Sequence, residues 1–121
     1  MPIMSSCDKV EAYITKDGSV IRELIHPLVH GNFSQSLAEA RVTPGNSTLL
    51  HSHNLTEEIY HILEGTGILT LGHETIEVKS GDSVCISPGT LHNITNTGEN
   101  ELRFLCCCSP AYSHDDTVVS E

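Results

Sequence analysis

Turn-forming residues recur along this chain at intervals of roughly eight to twelve residues, and this spacing limits the fold more than any other feature. Pro44-Gly45, Gly65-Thr66-Gly67, Gly81 and Pro88-Gly89 separate short segments that are rich in Val, Ile, Leu and Thr. A helical period is visible only briefly, over residues 20–24. The sequence therefore predicts an all-β fold, either an antiparallel sandwich or a closed barrel.

The predicted strands cover most of the chain between its first turn and Pro110. They are residues 19–25, 35–42, 48–53, 58–64, 68–71, 75–78, 83–86, 92–96 and 102–108. The strand pattern is lost after Pro110. We therefore expect residues 1–110 to form one domain with an N-terminal strand extension, and residues 111–121 to form a tail that is loosely docked or disordered.

Charge narrows the kinds of partner that we expect. Sixteen acidic and six basic residues give a formal net charge of −10, and no local run of Lys or Arg offsets it. Such a surface repels nucleic-acid phosphates and anionic lipid headgroups, so neither nucleic acid nor a membrane is an expected partner. The N-terminal residues lack a basic start and an apolar run, and no apolar stretch approaches the roughly twenty residues that cross a bilayer. The expected location is the cytoplasm.

Five cysteines are many for a chain of this length, and Cys106, Cys107 and Cys108 are consecutive. Neighbouring residues of a strand point to opposite faces, so these three thiols are poorly placed to pair with one another. In a reducing compartment an odd number of cysteines predicts buried free thiols that pack as small hydrophobic groups.

Three histidines and one glutamate have the spacing of a metal site. His51 and His53 lie two residues apart and share one face of a predicted strand. Glu58 opens the next strand and His92 a later one, while Glu57 is the neighbouring candidate for the carboxylate. This donor set suits Fe²⁺, Mn²⁺, Co²⁺, Ni²⁺ or Zn²⁺ and not Ca²⁺ or Mg²⁺. On a six-coordinate ion it would leave two positions for water, substrate or O₂.

These residues resemble the two sequence motifs of the cupin superfamily. The first motif, G-x5-H-x-H-x4-E-x6-G, is matched in full by Gly45, His51, His53, Glu58 and Gly65. The second, G-x5-P-x-G-x2-H-x3-N, is matched by Gly81, Gly89, His92 and Asn96, with Ser87 in place of its proline. The resemblance implies a double-stranded β-helix, or jelly-roll barrel, that is usually dimeric and holds the metal inside the barrel mouth. It also implies a structural role for Asn96.

A cupin fold does not select one reaction, so several functions stay open. We expect a small-molecule metalloenzyme of dioxygenase-like or Lewis-acid type, with Fe²⁺ or Mn²⁺ favoured over Zn²⁺, Ni²⁺ or Co²⁺. The alternatives are a sugar isomerase or epimerase, a decarboxylase or lyase, and a non-catalytic module that binds a metal or ligand. Isomerisation needs a positioned proton shuttle, and we expect a cavity of Leu, Ile and Phe with no second strong base. The expected assembly is a homodimer.

Strand alternation predicts which side chains line the pocket beside the metal. Tyr60 and Ile62 share the inward face with Glu58, whereas His61 faces away. Tyr60 is the candidate catalytic residue, because it could donate a hydrogen bond or a proton to the substrate, or it forms a plain wall.

Three further residues are candidates for the same pocket. Phe104 and Cys106 would point inward on the last predicted strand, with the Cys106 thiol either packing in the core or approaching the metal. Arg41 would anchor an anionic substrate if it pointed inward, and otherwise faces solvent or a second subunit.

Overall fold

The computed structural model describes residues 2–120, and most of its regular structure is β-strand. The strands are β1 (Tyr13–Ile14), β2 (Val20–Ile25), β3 (Ser36–Val42), β4 (His51–His53), β5 (Glu57–Glu64), β6 (Thr66–Leu71), β7 (Glu74–Lys79), β8 (Ser83–Ile86), β9 (His92–Asn96), β10 (Leu102–Ser109) and β11 (Thr117–Val119). A 3₁₀ turn at Cys7–Lys9 and a short helix, α1 (Pro27–His30), are the helical elements of this range. The predicted all-β class is confirmed.

The strands form two antiparallel sheets that face each other. One sheet has six strands in the order β1-β2-β3-β10-β5-β8, and the other has five in the order β11-β4-β9-β6-β7. Neighbours in space are often distant in sequence, since β10 pairs with both β3 and β5 and β4 pairs with β9. Strands that follow one another in sequence therefore often lie in different sheets, as in the jelly-roll barrel that the motif resemblance implies.

Strand β10 shows how the sequence selects the barrel interior. Leu102, Phe104, Cys106 and Cys108 are buried, while the residues between them are half-buried on the outer face. Strands β3 and β5 pair with β10 on either side, so their inward side chains meet those of β10 in one core. A burial period of two is the pattern of a strand with one face in a core.

Two of the predicted strands, 83–86 and 92–96, match the observed bounds, and others shift by one or two residues. The larger difference is β4, which begins at His51 and not at residue 48. Thr48 lies outside the strand and is held to β9 by a side-chain hydrogen bond. Its hydroxyl accepts from Ile94 N at 3.0 Å.

The expected loose tail is wrong for the end of the chain. Residues Thr117–Val119 form β11, which pairs with β4 so that Thr117 lies opposite His53 and Val119 opposite His51. The Asp116 carboxylate also accepts hydrogen bonds from Leu55 N at 3.0 and 3.1 Å. A three-residue strand is too short for alternation to reveal it. Glu121, the last residue of the expected tail, lies outside the described residues.

None of the helices formed by residues 2–120 has the length and apolar character that crossing a membrane requires.

Candidate metal centre

The four predicted metal ligands lie together between the two sheets. His51, His53, Glu58 and His92 each offer one donor atom, and these atoms all lie within 4.8 Å of one another. All four residues are buried, with His92 at 0% exposure. The histidines come from β4 and β9 of the five-stranded sheet, and Glu58 comes from β5 of the other. The cluster therefore bridges the two sheets.

Backbone carbonyls fix the tautomer of two histidines. His51 Nδ1 lies 2.7 Å from Leu49 O, and His92 Nδ1 lies 2.9 Å from Thr90 O. A carbonyl only accepts hydrogen bonds, so each Nδ1 must carry the proton and donate it. The lone pair of each ring is then on Nε2.

His53 reaches the same tautomer through a side chain. Its Nδ1 lies 3.0 Å from Thr117 Oγ1, and that hydroxyl donates its one hydrogen to Ser113 O at 2.8 Å. Thr117 must therefore accept from His53 Nδ1–H, which leaves the lone pair of His53 on Nε2.

Two of the atoms that point into the cluster have no hydrogen-bond partner among residues 2–120. Glu58 Oε1 lies 3.2 Å from His53 Nε2 and 3.4 Å from His92 Nε2. Glu58 Oε1 and His92 Nε2 are buried, and among residues 2–120 neither has a hydrogen-bond partner. Lone pairs that face one another in a buried site need a cation between them. Three imidazole nitrogens and one carboxylate oxygen fit a divalent transition metal.

The protonation states of the cluster agree with this use. Burial raises the pKa of Glu58, whereas positive charge on the adjacent His53 and His92 lowers it. With both rings neutral, a metal cation would supply that charge. Burial, followed by the neighbouring His92, lowers the pKa of His51. At neutral pH His51 is therefore neutral, the form in which it can bind a metal, and a cation beside Glu58 would keep that carboxylate ionised. Glu57, the alternative carboxylate, is exposed.

The cluster borders a small cavity of about 30 Å³, which is room for one or two water molecules. Of the predicted pocket residues, Tyr60, Phe104 and Cys106 line it. The Tyr60 ring centroid lies 6.0 Å from that of His92 and 4.7 Å from that of Phe104. Burial raises the pKa of Tyr60 and of Cys106 well above their ordinary values, so both stay protonated.

Two predicted pocket residues lie elsewhere. Ile62 is 1% exposed and faces inward, but it belongs to the core and does not line the cavity. Of the two placements left open for Arg41, the inward one that would put it in the pocket is not observed, because Ala38 and Ala40 occupy the inner face of β3 and line the cavity. Arg41 lies on the outer face, where its Nε donates to Glu39 Oε1 at 2.7 Å.

Sequence reasoning also gave no role to several residues around the centre. Asp17 Oδ2 lies 3.4 Å from His51 Nε2, and Cys108 Sγ donates to Glu58 Oε2 at 3.3 Å. Glu23 and Thr117 also line the cavity. Asp17 precedes Gly18 and shows only the signature of a turn, so no sequence spacing would have connected it with the metal motif.

Thiol burial follows the predicted pattern only in part. Cys106 and Cys108 are buried free thiols, Cys7 and Cys107 are half-buried and Cys85 is exposed, so the expectation that the cysteines pack as buried thiols is wrong for Cys85. Cys85 lies on the outer face of β8, next to the inward-facing Ile86.

The fold and the centre agree with comparisons to known proteins. Residues 38–108 match the family model described as Cupin domain. The chain is 54% identical over 119 residues to the uncharacterized protein MJ1618 of Methanocaldococcus jannaschii, which covers 98% of this chain and 95% of that protein. It is 36% identical over 74 residues to the oxalate-binding protein of Thermotoga maritima, covering 61% of each chain.

Solved structures give the same architecture. The polyketide cyclase RemF of Streptomyces resistomycificus superimposes with a TM-score of 0.78 and 28% identity, over 90% of this chain and 80% of that one. A predicted oxalate decarboxylase of Thermotoga maritima gives a TM-score of 0.77 and 27% identity, over 91% and 99%. The oxalate decarboxylase of Lactobacillus farciminis, at 22% identity and a TM-score of 0.80, covers 93% of this chain and 34% of that one and shows the fold alone.

Proposed function

The chain belongs to the cupin family, and on that premise we propose that it is a metal-dependent enzyme acting on a small molecule. One observation carries the proposal: Glu58 Oε1 and His92 Nε2, two buried atoms without hydrogen-bond partners among residues 2–120, lie 3.4 Å apart. A cation between them would give both atoms a partner and would also engage His51 and His53.

The proposed cofactor is a divalent transition metal, with Fe²⁺ or Mn²⁺ favoured and Zn²⁺, Ni²⁺ or Co²⁺ as alternatives. A structural relative, the oxalate decarboxylase of Bacillus subtilis, has Mn(II) centres, and it shares 21% identity and a TM-score of 0.78 with this chain. When bound, such an ion supplies Lewis acidity toward a substrate oxygen, or a redox centre for O₂. The histidines would enter as neutral ligands through Nε2, and Glu58 would supply the one anionic oxygen.

The cavity wall changes which reaction we favour. Asp17 and Glu23 line the cavity beside the cluster, so the expectation of no second strong base is wrong. The argument against isomerisation rested on that expectation and therefore no longer holds. We therefore favour Lewis-acid chemistry with proton transfer at the cavity wall, as in an isomerase, epimerase, lyase or decarboxylase. Dioxygenase-like chemistry is the alternative, and in either case Tyr60 is the proposed hydrogen-bond donor to the substrate.

A non-catalytic binding module is the second candidate. The oxalate-binding protein of Thermotoga maritima, 36% identical over 61% of this chain, supports a role in ligand binding. Such a module would hold metal and ligand without turnover. A homodimer and a cytoplasmic location stay predictions, and light scattering of the purified protein would test the first.

The first experiment measures metal content. The purified protein is reconstituted with Mn²⁺, Fe²⁺ or Zn²⁺, desalted and analysed for bound metal. We expect one equivalent in the wild type, and loss of it in H51A and E58Q. H61A is the matched control, because His61 is half-buried on the same strand as Glu58 and bonds to Ser83 Oγ at 2.7 Å, away from the cluster. Equal occupancy in H51A and the wild type would contradict the ligand assignment.

The second experiment separates the two candidate functions. The metal-loaded protein is incubated with small hydroxylated and dicarbonyl compounds, while O₂ consumption and product formation are followed. Turnover without O₂ uptake supports Lewis-acid chemistry, and uptake that requires Fe²⁺ supports oxygenation. Binding without turnover across the panel favours the non-catalytic module.

A further inference from the structure

No lysine or arginine among residues 2–120 lines the cavity beside the metal cluster. The chain contains six Lys and Arg residues in all. Arg22, Arg41 and Arg103 are paired with Glu39 on the outer face of the sheet. Lys16 Nζ donates to His114 O at 2.9 Å and to Thr117 O at 3.0 Å, and Lys79 pairs with Asp82. A carboxylate ligand would therefore find no guanidinium or ammonium group to bind it there.

The cavity wall carries an oriented carboxylate at Asp17. Its Oδ1 accepts hydrogen bonds from Thr15 Oγ1 at 2.5 Å, from Ser19 N at 3.0 Å and from Ser19 Oγ at 2.7 Å. These bonds fix the side chain and leave Oδ2 facing His51 Nε2 at 3.4 Å. Because His51 Nε2 carries a lone pair and not a hydrogen, Oδ2 has no hydrogen-bond donor among residues 2–120 and can accept from a ligand beside the centre.

Glu23 provides a second free acceptor. Its Oε2 is buried and has no hydrogen-bond partner among residues 2–120. His26 Nε2 lies 3.9 Å from it, but this nitrogen already donates to Tyr112 O at 2.7 Å. Glu23 therefore faces the cavity with an oxygen that a ligand hydroxyl could satisfy.

The shape of the site complements these acceptors. Tyr13, Glu23 and Tyr112 line both the cavity at the cluster and an adjoining outer cavity of about 440 Å³. Leu28 and Val29, both exposed, line the outer cavity as well. The inner cavity has room only for the oxygen-bearing end of a ligand, while two tyrosines and two aliphatic side chains suit a planar carbon skeleton outside it.

The net charge of the metal-loaded centre also disfavours an anionic ligand. A divalent ion is neutralised by the carboxylates of Glu58 and Asp17, so a dianionic ligand would gain no net attraction to the centre. We propose that this site takes a neutral hydroxylated molecule with an aromatic or similarly planar skeleton in preference to a carboxylate anion, and that Asp17 and Glu23 determine this selectivity. The inference rests on the proposed metal centre and specifies the class of its substrate.

Catechol and oxalate are the matched probes, since each can offer two oxygens to one ion and they differ in charge at pH 7. Binding of each to the Mn²⁺-loaded protein is measured by titration calorimetry, with retained metal measured afterwards. We expect the wild type to bind catechol at least about tenfold more tightly than oxalate. In D17N and in E23Q, catechol should bind several-fold more weakly and oxalate several-fold more tightly.

The variants are chosen to keep the fold. Asn at position 17 retains an oxygen that can accept from Thr15 and Ser19, so the turn keeps its hydrogen bonds. E57Q is the control, because it removes one negative charge beside Glu58 from an exposed side chain outside the cavity. In E57Q the ratio of the catechol and oxalate dissociation constants should equal that of the wild type.

Three results would overturn the inference. The first is that the wild type binds oxalate more tightly than catechol. The second is that the ratio of the catechol and oxalate dissociation constants changes no more in D17N and E23Q than in E57Q, and the third is that the metal-loaded protein binds neither probe. Failure of the proposed function is distinct, because the wild type would then retain no Mn²⁺ before any probe is added.

Discussion

Thr117 Oγ1 accepts a hydrogen bond from His53 Nδ1 at 3.0 Å while donating its own hydrogen to Ser113 O at 2.8 Å. The C-terminal strand β11 therefore orients one of the proposed metal ligands, although it lies 64 residues away in sequence. Outer partners of this kind fix the ring orientation and the tautomer of a ligating histidine. The end of the chain is thus part of the centre.

Loss of this hydrogen bond should weaken metal binding. T117V removes the acceptor but keeps the shape of the side chain, so we expect the dissociation constant for Mn²⁺ to rise about tenfold or more. T117S keeps the hydroxyl and should remain within about threefold of the wild type. Competition with a calibrated chelator measures both constants. Equal affinities in T117V and T117S would contradict a role for the hydroxyl.

The Cys108 thiol should orient the other side of the centre. It donates to Glu58 Oε2 at 3.3 Å, and burial raises its pKa, so it stays a protonated donor and not a thiolate ligand. We expect C108A to lower Mn²⁺ affinity several-fold and C108S to retain it. Electron paramagnetic resonance of bound Mn²⁺ should show a changed spectrum in C108A only. An unaltered spectrum and affinity in C108A would assign the thiol to packing alone.

Glu39 should stabilise the protein at neutral pH. It is 3% exposed on the outer sheet face, and Arg41 lies 2.7 Å and Arg103 3.3 Å from its oxygens. Burial alone would raise its pKa, but the hydrogen bond and charge of Arg41 outweigh it, so the pKa of Glu39 is lowered from 4.5. A lowered carboxyl pKa contributes stability that is present above the unfolded-state pKa and lost as the pH falls through the folded-state pKa.

Urea unfolding at several pH values tests this. E39Q should be destabilised by about 2 kcal/mol at pH 7, and the difference from the wild type should shrink toward zero below about pH 4. E64Q is the control, since Glu64 also binds Arg103, at 2.6 Å, but its side chain is 65% exposed. E64Q should lower the free energy of unfolding by less than about 1 kcal/mol. A deficit in E39Q that does not change with pH would exclude the ion pair as its cause.

The sequence was sufficient for the fold class and for the convergence of the four proposed ligands. Strand alternation puts His51 and His53 on one face, and the resemblance to the two cupin motifs implies that Glu58 and His92 join them in one site. The alternation is a local regularity, and a period of two survives small errors in strand bounds. The convergence of Glu58 with His92, 34 positions apart, came from the motif resemblance.

The missed features all depend on contacts between distant segments. Asp17 meets His51 across 34 positions, and Thr117 meets His53 across 64. Arg41 shows a different limit, because alternation on β3 is clear but does not say which face is inward. Glu39 is buried on the outer face by its arginine partners, so burial and polarity gave conflicting signals there.

Asn96 should act on stability and not on metal binding. Its Nδ2 donates to Val42 O at 2.9 Å and to Asn100 O at 2.8 Å, and its Oδ1 accepts from Gly98 N at 2.8 Å. N96A removes one buried and two part-buried hydrogen bonds and should cost about 2–4 kcal/mol in the free energy of unfolding, with one metal equivalent retained. N93A is the comparison, since Asn93 makes a single weak bond of 3.4 Å and should cost under about 1 kcal/mol.

Metal affinity should depend on pH in a way set by His51. Burial, and then the neighbouring His92, lower the pKa of His51 from 6.5, so a proton competes for its Nε2 less effectively than for an ordinary imidazole. We expect the apparent Mn²⁺ association constant to be level between about pH 7 and 8 and to fall only below about pH 6. Equilibrium dialysis from pH 8 to pH 5 measures the curve, and an affinity that does not change over that whole range would contradict binding through these imidazoles.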